Sequence, residues 1–370
     1  MSDAFFRIQM LPARHGDALL VEYGRGEATW RILVDGGPIK AYPELINRLN
    51  DLPDGDRGLE LVVVSHVDTD HIEGLIRLFA ERRSSWPIEP ADIWFNGWRH
   101  MEDSQDLGGR EGDFLSALLH RRAFDEWNKA FERNAVVVVP GERLPEVVLE
   151  GGMKITLLSP DATRLKRMAG KWEKDVQKHG LEPGDLDGAW DQLVKSTRYH
   201  PEDGLLGGPG VFDETLTRQL KPDASKANGS SIAFLAEFEG RSCLFLADAH
   251  TRVVCDSIRR LISPGQKRLK VDAFKMSHHG SRANISKELL SLVDAEHFLV
   301  STNGDIHGHP DKAAMEAVIR WSVRKPTLWF NYRNERTLRW ENEGGPVEGD
   351  YALRYPGEGE EGIALELQGT

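Results

Sequence analysis

A short polar loop that directly follows an apolar run is the feature that most constrains this chain. Residues 61–64 are Leu-Val-Val-Val, and the next seven positions contain His66, Asp68, Asp70 and His71. A buried strand ends where the sequence turns polar, so these side chains crowd onto one loop. Imidazoles and carboxylates are metal ligands, and carboxylates this close repel one another unless a cation neutralises them. The pattern therefore predicts a metal site. The alternative is a solvated polar loop, which is common for a single His-Asp pair but not for this arrangement.

The loop resembles the signature of the metallo-β-lactamase fold hydrolases. Its His-x-Asp-x-Asp-His form, followed by Glu73-Gly74-Leu75, is most similar to the hydrolase domain of the competence protein ComEC and its soluble relatives. Further segments resemble the family's motifs in the family's order: residues 15–21, 32–37, 228–232, 244–248, 277–281 and 308–310. The resemblance implies an α/β fold, a four-layer αββα sandwich with helical insertions. We expect one domain over residues 1–370, with insertions at about 100–150 and 161–225 lying over the active site.

The same resemblance implies two divalent metal ions, zinc or manganese. It assigns six ligands: His66, Asp68, Asp70, His71, Asp248 and His309. In this assignment His66 and Asp68 hold one ion, Asp70 and His71 hold the other, Asp248 bridges both, and His309 completes the coordination of the second ion. A carboxylate at position 68, where the common signature has histidine, shifts the preference of the site toward manganese, although zinc also fits.

Catalytic roles follow from the resemblance as well. Asp70 or Asp248 orients the attacking water, while His278 or His279 stabilises the charge that develops and protonates the leaving oxygen. The family's third-motif histidine has no clear equivalent, and Asn228 lies near its place. Asp35 precedes two glycines and is expected to orient a metal ligand rather than serve only as a turn residue.

Composition limits the cellular context and the partners. The chain has 370 residues, of which 40% are hydrophobic, and Cys243 and Cys255 are its two cysteines, too few for a disulfide framework. The first residues lack the pattern of a secretory signal, and no apolar run reaches the roughly 20 residues that a membrane span needs. The expectation is a cytoplasmic protein with no membrane partner.

Net charge bears on the substrate. A formal charge of -12 does not favour broad binding to duplex nucleic acid. A basic stretch at 164–178 includes Lys171 and has Trp172 beside it, which suggests stacking on a base; the alternative is a solvated helix face.

Three functions remain open. The leading hypothesis is a metal-dependent hydrolase of phosphodiester bonds, including a nuclease acting on single-stranded or short nucleic acid. The alternatives are a small-molecule hydrolase, such as a phosphocholine-type esterase or lactonase, and a non-catalytic binding module that kept the fold.

Hydrophobic periodicity predicts the intervening elements. Apolar spacing predicts a helix over 72–79 and one long helix over 113–134, with strands at 136–139 and 153–158. Residues 161–223 are mostly helix-like, and the Gly- and Pro-rich stretch 202–223 is expected to be a mobile loop.

Overall fold

The computed structural model describes residues 4–53, 55–101, 110–124, 127–199, 225–342 and 351–368. The strands in this part of the chain are β1 Ala4–Met10, β2 Leu19–Arg25, β3 Ala28–Val34, β4 Gly58–Val63, β5 Glu89–Trp94, β6 Glu146–Val148, β7 Lys154–Ser159, β8 Ala233–Phe238, β9 Arg241–Phe245, β10 Leu269–Lys270, β11 Ala273–Lys275, β12 Val293–Asp294, β13 His297–Val300, β14 Thr327–Phe330, β15 Ala352–Arg354 and β16 Ile363–Gln368. The α-helices there are α1 Tyr42–Asn50, α2 Thr69–Ala80, α3 Arg110–Arg121, α4 Ala162–Lys178, α5 Leu186–Lys195, α6 Lys226–Gly229, α7 Thr251–Leu261, α8 Lys287–Leu292, α9 Lys312–Trp321 and α10 Glu335–Asn342.

Two large sheets form the centre of the molecule. The first has the order β16-β1-β2-β3-β4-β5, and the second has the order β15-β14-β13-β11-β9-β8-β7-β6. They pack face to face, and the ring of Tyr23 in β2 meets that of Phe238 in β8 with centroids 4.9 Å apart. Alternate residues of each strand point to opposite faces, so one set of the first sheet's apolar side chains fills the space between the sheets. This set includes Val21, Ile32 and Val63.

Helices cover the outer face of each sheet. The other set of side chains from the first sheet packs with α1, α2 and α3 in a second apolar cluster, which contains Leu20, Leu33 and Val62. On the outer face of the second sheet, the Ser257 hydroxyl of α7 donates to Leu158 O at 2.7 Å. The predicted α/β class and four-layer αββα sandwich are confirmed by this order of helices, sheet, sheet and helices.

The carboxyl ends of parallel strands bring the sequence motifs together. β3, β4 and β5 run parallel in the first sheet, and β9, β11, β13 and β14 run parallel in the second. Asp35, Asp248 and Ser301 follow the ends of β3, β9 and β13, while the 65–71 loop and the 277–281 loop follow β4 and β11. In α/β sheets, ligands bind beyond such carboxyl ends.

Close backbone contacts hold α2 against the loops beneath it. The Gly36 amide donates to His71 O at 2.8 Å, and the Gly74 amide donates to Gly37 O at 2.9 Å. A Cβ atom on Gly74 would lie 2.0 Å from Gly36 O, and one on Gly16 would lie 1.8 Å from Asp70 O. These positions therefore admit only glycine without a shift of the backbone.

The long helix predicted over 113–134 is wrong. α3 ends at Arg121, and Ala123 and Asn128 adopt left-handed φ angles of 56° and 60°. Asn128 caps the end of β5 instead, since its side chain accepts from Phe95 N at 2.8 Å and donates to Phe95 O at 3.0 Å. Phe124 and Trp127, which follow this helix, are buried by tertiary packing, and their spacing imitated a helix.

Smaller differences concern the neighbouring segments. The predicted strand at 136–139 is reduced to an isolated bridge between Val138 and Asp161. α4 and α5 confirm the helical character of 161–199, whereas the loop predicted at 202–223 lies outside the described residues. Trp172 is 0% exposed, so the base-stacking interpretation of that side chain is wrong.

A buried carboxylate ties the region after α5 to the helix that follows the signature loop. Glu73 of α2 accepts from Arg198 Nε at 2.6 Å and Arg198 Nη2 at 2.7 Å, and Tyr199 Oη donates to it at 2.9 Å. Glu73 is 1% exposed, so its charge is satisfied by these partners and by the Ile39 amide. None of the described helices is both long enough and apolar enough to cross a membrane.

Candidate metal centre

Three imidazole rings converge on one another at the carboxyl edge of the sheets. The rings of His66 and His71 have centroids 4.2 Å apart, and those of His71 and His279 are 5.2 Å apart. His66 is 3% exposed, and His71 and His279 are 0% exposed. The sequence predicted the first two as ligands and assigned His279 to the substrate; the structure places all three in one buried cluster.

Hydrogen bonds determine which nitrogen each ring presents to this cluster. His71 Nδ1 lies 2.8 Å from the Asp35 carboxylate, and His279 Nδ1 lies 3.0 Å from Ser301 O. Both partners only accept, so each Nδ1 carries a proton, and each Nε2 is the ring nitrogen that faces the cluster, with a lone pair whenever the ring is neutral. The contact with Asp35 agrees with the orienting role that we expected for this residue.

His66 is oriented in the same way through a serine. The Ser65 hydroxyl donates to Asp35 Oδ2 at 2.6 Å, so its oxygen accepts from His66 Nδ1 at 3.0 Å. His66 Nε2 is therefore also left with a lone pair. The Nε2 atoms of the three rings are buried and make no hydrogen bond within the described part of the chain.

Carboxylate oxygens face these nitrogen atoms. Asp248 Oδ2 lies 3.9 Å from His66 Nε2, and Asp248 Oδ1 lies 3.6 Å from His71 Nε2. The two oxygens of Asp248 thus face different histidines, which is the arrangement that the bridging assignment requires. Asp68 Oδ2 lies 3.7 Å from His66 Nε2.

Asp70 lies on the His279 side of the cluster. Its Oδ2 is 3.4 Å from His279 Nε2 and 3.9 Å from His71 Nε2. His309, which the sequence assigned to the second ion, lies farther out. Its Nδ1 is 3.7 Å from Asp311 Oδ2, and its ring packs edge-on against His278 at 5.4 Å. Among the described residues, its ion-pair contact is with Asp311 and not with Asp70 or Asp248.

The donor set fits divalent cations. Groups of buried ligand atoms that are mutually close enough for one ion are formed by His66, His71 and Asp248 and by Asp17, His71 and His279. Lone pairs of nitrogen and oxygen that face one another without a shared proton repel, and a cation between them removes that repulsion. These buried His and Asp groups could therefore bind metal.

The pKa shifts of His71 and His279 also indicate that the site favours positive charge. Burial by itself lowers the pKa of His71, but the carboxylates of Asp248, Asp70 and Asp35 raise it well above the usual value. Burial opposes the shift of His279 too, yet the Asp17 carboxylate raises its pKa to about 8. In the absence of a cation, protons on these rings balance the buried carboxylates.

A buried ion pair supports His279 from behind. Lys275 Nζ donates to Asp17 Oδ2 at 2.8 Å, and Asp17 Oδ1 lies 3.4 Å from His279 Nδ1. Although burial raises the pKa of Asp17, Lys275 lowers it well below the usual range. Neither Asp17 nor Lys275 was assigned a role from the sequence; the available signal was a lysine three residues before the His-His-Gly loop.

Four non-glycine residues in the loops of the cluster have positive φ angles. Asp35, Ala247, His278 and His279 have φ values of 60°, 44°, 49° and 54°, a region that non-glycine residues rarely adopt. The His278 amide donates to Ala247 O at 2.9 Å, which joins two of these loops. Such conformations cost free energy and persist where the surrounding contacts enforce them, as they do at functional sites.

His278 is the histidine of this group that reaches solvent. Its side chain is 22% exposed, and its Nε2 lies 3.5 Å from Asp248 Oδ2. Asn228, the residue near the place of the missing histidine, has its Nδ2 3.5 Å from Asp248 Oδ2 and 3.4 Å from His278 Nδ1. Both residues line a cleft of about 610 Å³ that also includes Asp68, Asp70 and Asp248.

Comparisons with known proteins add little to this geometry. A scan against protein-family models found no match, and a search of curated proteins also found none. Among solved structures, the metallo-β-lactamase fold protein YhfI from Bacillus subtilis is similar at 11% identity and a TM-score of 0.37, with 97% of this chain and 98% of that chain covered.

Two further solved structures are similar at a comparable level. A metallo-β-lactamase with a HARLDQ motif from Cronobacter sakazakii has 11% identity and a TM-score of 0.30, over 76% of this chain and 81% of that chain. A protein of unknown function from Enterococcus faecalis has 8% identity and a TM-score of 0.29, over 95% and 76% of the two chains. TM-scores this low carry no argument, so the chemistry of this chain has to be judged from its own residues.

Proposed function

We propose that this protein is a metal-dependent hydrolase of phosphodiester bonds. The observation that carries the proposal is the convergence of three buried Nε2 atoms, from His66, His71 and His279, on the carboxylates of Asp70 and Asp248. Buried polar atoms left without partners are costly, and a functional requirement explains why they persist here.

Two cations fit this donor set. His66, Asp68 and one oxygen of Asp248 would hold the first. Asp70, His71 and the other oxygen of Asp248 would hold the second. His279 would complete the coordination of the second cation in place of His309, because His279 Nε2 lies 3.4 Å from Asp70 Oδ2. The mixture of imidazoles and carboxylates suits zinc or manganese.

Such cations, when bound, activate water as a nucleophile and polarise the group that it attacks. The residues of the chain supply the rest of the reaction. Asp70 and Asp248 accept hydrogen bonds from the attacking water and orient it. His278 faces the cleft, where it is placed to donate a proton to the leaving oxygen. The buried floor limits the approach of other water molecules.

The cleft favours a small or single-stranded substrate. Its volume of about 610 Å³ lies within the range of small-molecule sites. The net charge of -12 disfavours a long duplex. A short oligonucleotide or a small phosphodiester is consistent with both observations, and the small-molecule hydrolase remains the second candidate because of the cleft volume.

Metal content and hydrolysis test the proposal together. The protein is purified without chelator, and its metal is measured by mass spectrometry before and after loading with Mn²⁺ or Zn²⁺. Hydrolysis is followed with bis(p-nitrophenyl) phosphate, single-stranded DNA and RNA, beside nitrocefin and a lactone. We expect bound metal and cleavage of the phosphodiesters, and loss of both activity and metal in Asp248→Asn.

A pair of histidine variants tests the ligand assignment. We expect His279→Ala to lose about half of the bound metal and His309→Ala to keep it. His120→Ala, at an exposed position on α3, is the control. Protein that binds no metal and cleaves none of these substrates would contradict the proposal, and metal loss in His309→Ala alone would restore the assignment made from the sequence.

A further inference from the structure

Lys171 extends from α4 into the cleft that holds the candidate metal centre. Its Nζ lies 3.4 Å from Asp68 Oδ1, and the two side chains are 37% and 32% exposed. Met168 and Asp175, one turn away on each side, line the same cleft. This face of α4 is therefore a wall of the site, and Lys171 is in contact with solvent at its mouth.

The ammonium group of Lys171 lies among acidic side chains. The acidic residues that line the described cleft are Asp68, Asp70, Glu111, Asp175 and Asp248, and Lys171 is the one lysine or arginine among its lining residues. Asp175 also has a contact with Lys178, 3.4 Å away, so its charge is shared with another cation. Asp68 is the acidic partner that the geometry gives to Lys171.

Metal binding would change the partner that Lys171 needs. A cation coordinated by Asp68 withdraws negative charge from that carboxylate and repels the nearby ammonium. The lysine side chain is flexible enough to turn its charge toward the cleft. An anionic oxygen of a substrate at the centre would then contact the cations and Lys171 together, and a neutral substrate would leave the ammonium without such a partner.

We propose that Lys171 binds an anionic oxygen of the substrate, phosphoryl or carboxylate, and gives the site a preference for anionic over neutral esters. The inference rests on the proposed function and deepens it. Lys171 is a specificity residue in this role, since it contacts the substrate without taking part in proton transfer.

Binding and turnover of matched ligands test the role of Lys171. The first measurement is the Kd of inorganic phosphate for the Mn²⁺-loaded protein, by calorimetry. The second is kcat/KM for the anion bis(p-nitrophenyl) phosphate and for the neutral ester p-nitrophenyl acetate. The variants are Lys171→Ala and Lys171→Arg. Lys174→Ala, at an exposed position on the same helix, is the matched control.

A lost charge-assisted hydrogen bond sets the size of the effect. We expect Lys171→Ala to weaken phosphate binding and to lower kcat/KM for the anionic diester by about 10- to 100-fold. Turnover of the neutral ester should change less than about twofold, because it offers no full negative charge. Lys171→Arg should keep most of the preference, and Lys174→Ala should resemble the unmodified protein.

Metal content in each variant separates substrate binding from an effect on Asp68. If Lys171→Ala loses metal, or loses activity equally on both esters, the inference is overturned while the proposed function stands. If the unmodified protein retains metal and binds phosphate but cleaves neither ester, the phosphate Kd still decides the role of Lys171. If it binds neither metal nor phosphate, both proposals fail.

Discussion

The ion pair between Lys275 and Asp17 lies directly behind the candidate metal centre and is almost completely buried. The side chains are 1% and 2% exposed, and Lys275 Nζ also donates to Met276 O at 3.2 Å. Lys275→Met keeps an unbranched side chain that is one atom shorter and removes its charge. The carboxylate of Asp17 then stays buried without its cation, which costs about 3–5 kcal/mol. With an unfolding entropy of about 2.1 cal/mol/K per residue over 370 residues, the loss corresponds to about 4–6 °C in Tm.

Scanning calorimetry at one pH measures this change, and a second variant checks its cause. Lys275→Met combined with Asp17→Leu replaces both charges by apolar groups, so no buried charge is left uncompensated. We expect this double variant to recover most of the lost Tm. A Tm of Lys275→Met within about 1 °C of the unmodified protein, or a double variant less stable than Lys275→Met, would refute a stabilising role for this ion pair.

Three further predictions concern packing and protonation. Gly74→Ala places a Cβ atom 2.0 Å from Gly36 O. The Tm of this variant should fall by roughly 4 °C, which corresponds to a loss of about 3 kcal/mol in the free energy of unfolding. Gly58→Ala, which has open space around the added Cβ, should keep nearly the same Tm in the same thermal scan. The pKa of His279 is raised to about 8, so Mn²⁺ has to displace a proton from this ring at lower pH. The increase in Tm on adding Mn²⁺ should therefore be larger at pH 8.5 than at pH 6.5. An increase in Tm that is the same at both pH values would count against His279 as a ligand. Burial raises the pKa of Asp113 to about 7. The stability that its protonated form contributes is therefore present below about pH 4 and is lost as pH rises through 7. In thermal scans, Asp113→Asn should have a higher Tm than the unmodified protein at pH 8 but not at pH 4.

Local patterns were sufficient wherever the determining contacts are close in sequence. The 65–71 loop contains four candidate ligands within six positions, so its position after β4 brings them together whatever the rest of the chain does. The strand predicted at 153–158 is also confirmed, as β7, Lys154–Ser159. The helix over 72–79 lies within α2, since its apolar positions recur at the helical period and are all buried.

The same patterns failed where a distant group decides the local conformation. Asn128 caps the end of β5 across 33 residues from Phe95, and this contact ends the helical path that the apolar spacing after Arg121 had indicated. A sequence does not distinguish a hydrophobic side chain buried in a loop from one buried on a helix, because both are buried in the same apolar core.

The sequence by itself determined which residue types are available for metal chemistry and that they follow strand ends. Only the tertiary structure decided which of them meet. His279 and His309 both follow Asp248 in the chain, yet of these two histidines it is His279 that comes within 3.4 Å of Asp70. Lys171 reaches Asp68 across 103 residues, and Lys275 reaches Asp17 across 258. Such pairings depend on how two sheets and the helices around them pack in three dimensions, and the free energy that fixes that packing comes from the burial of the whole core rather than from any local segment.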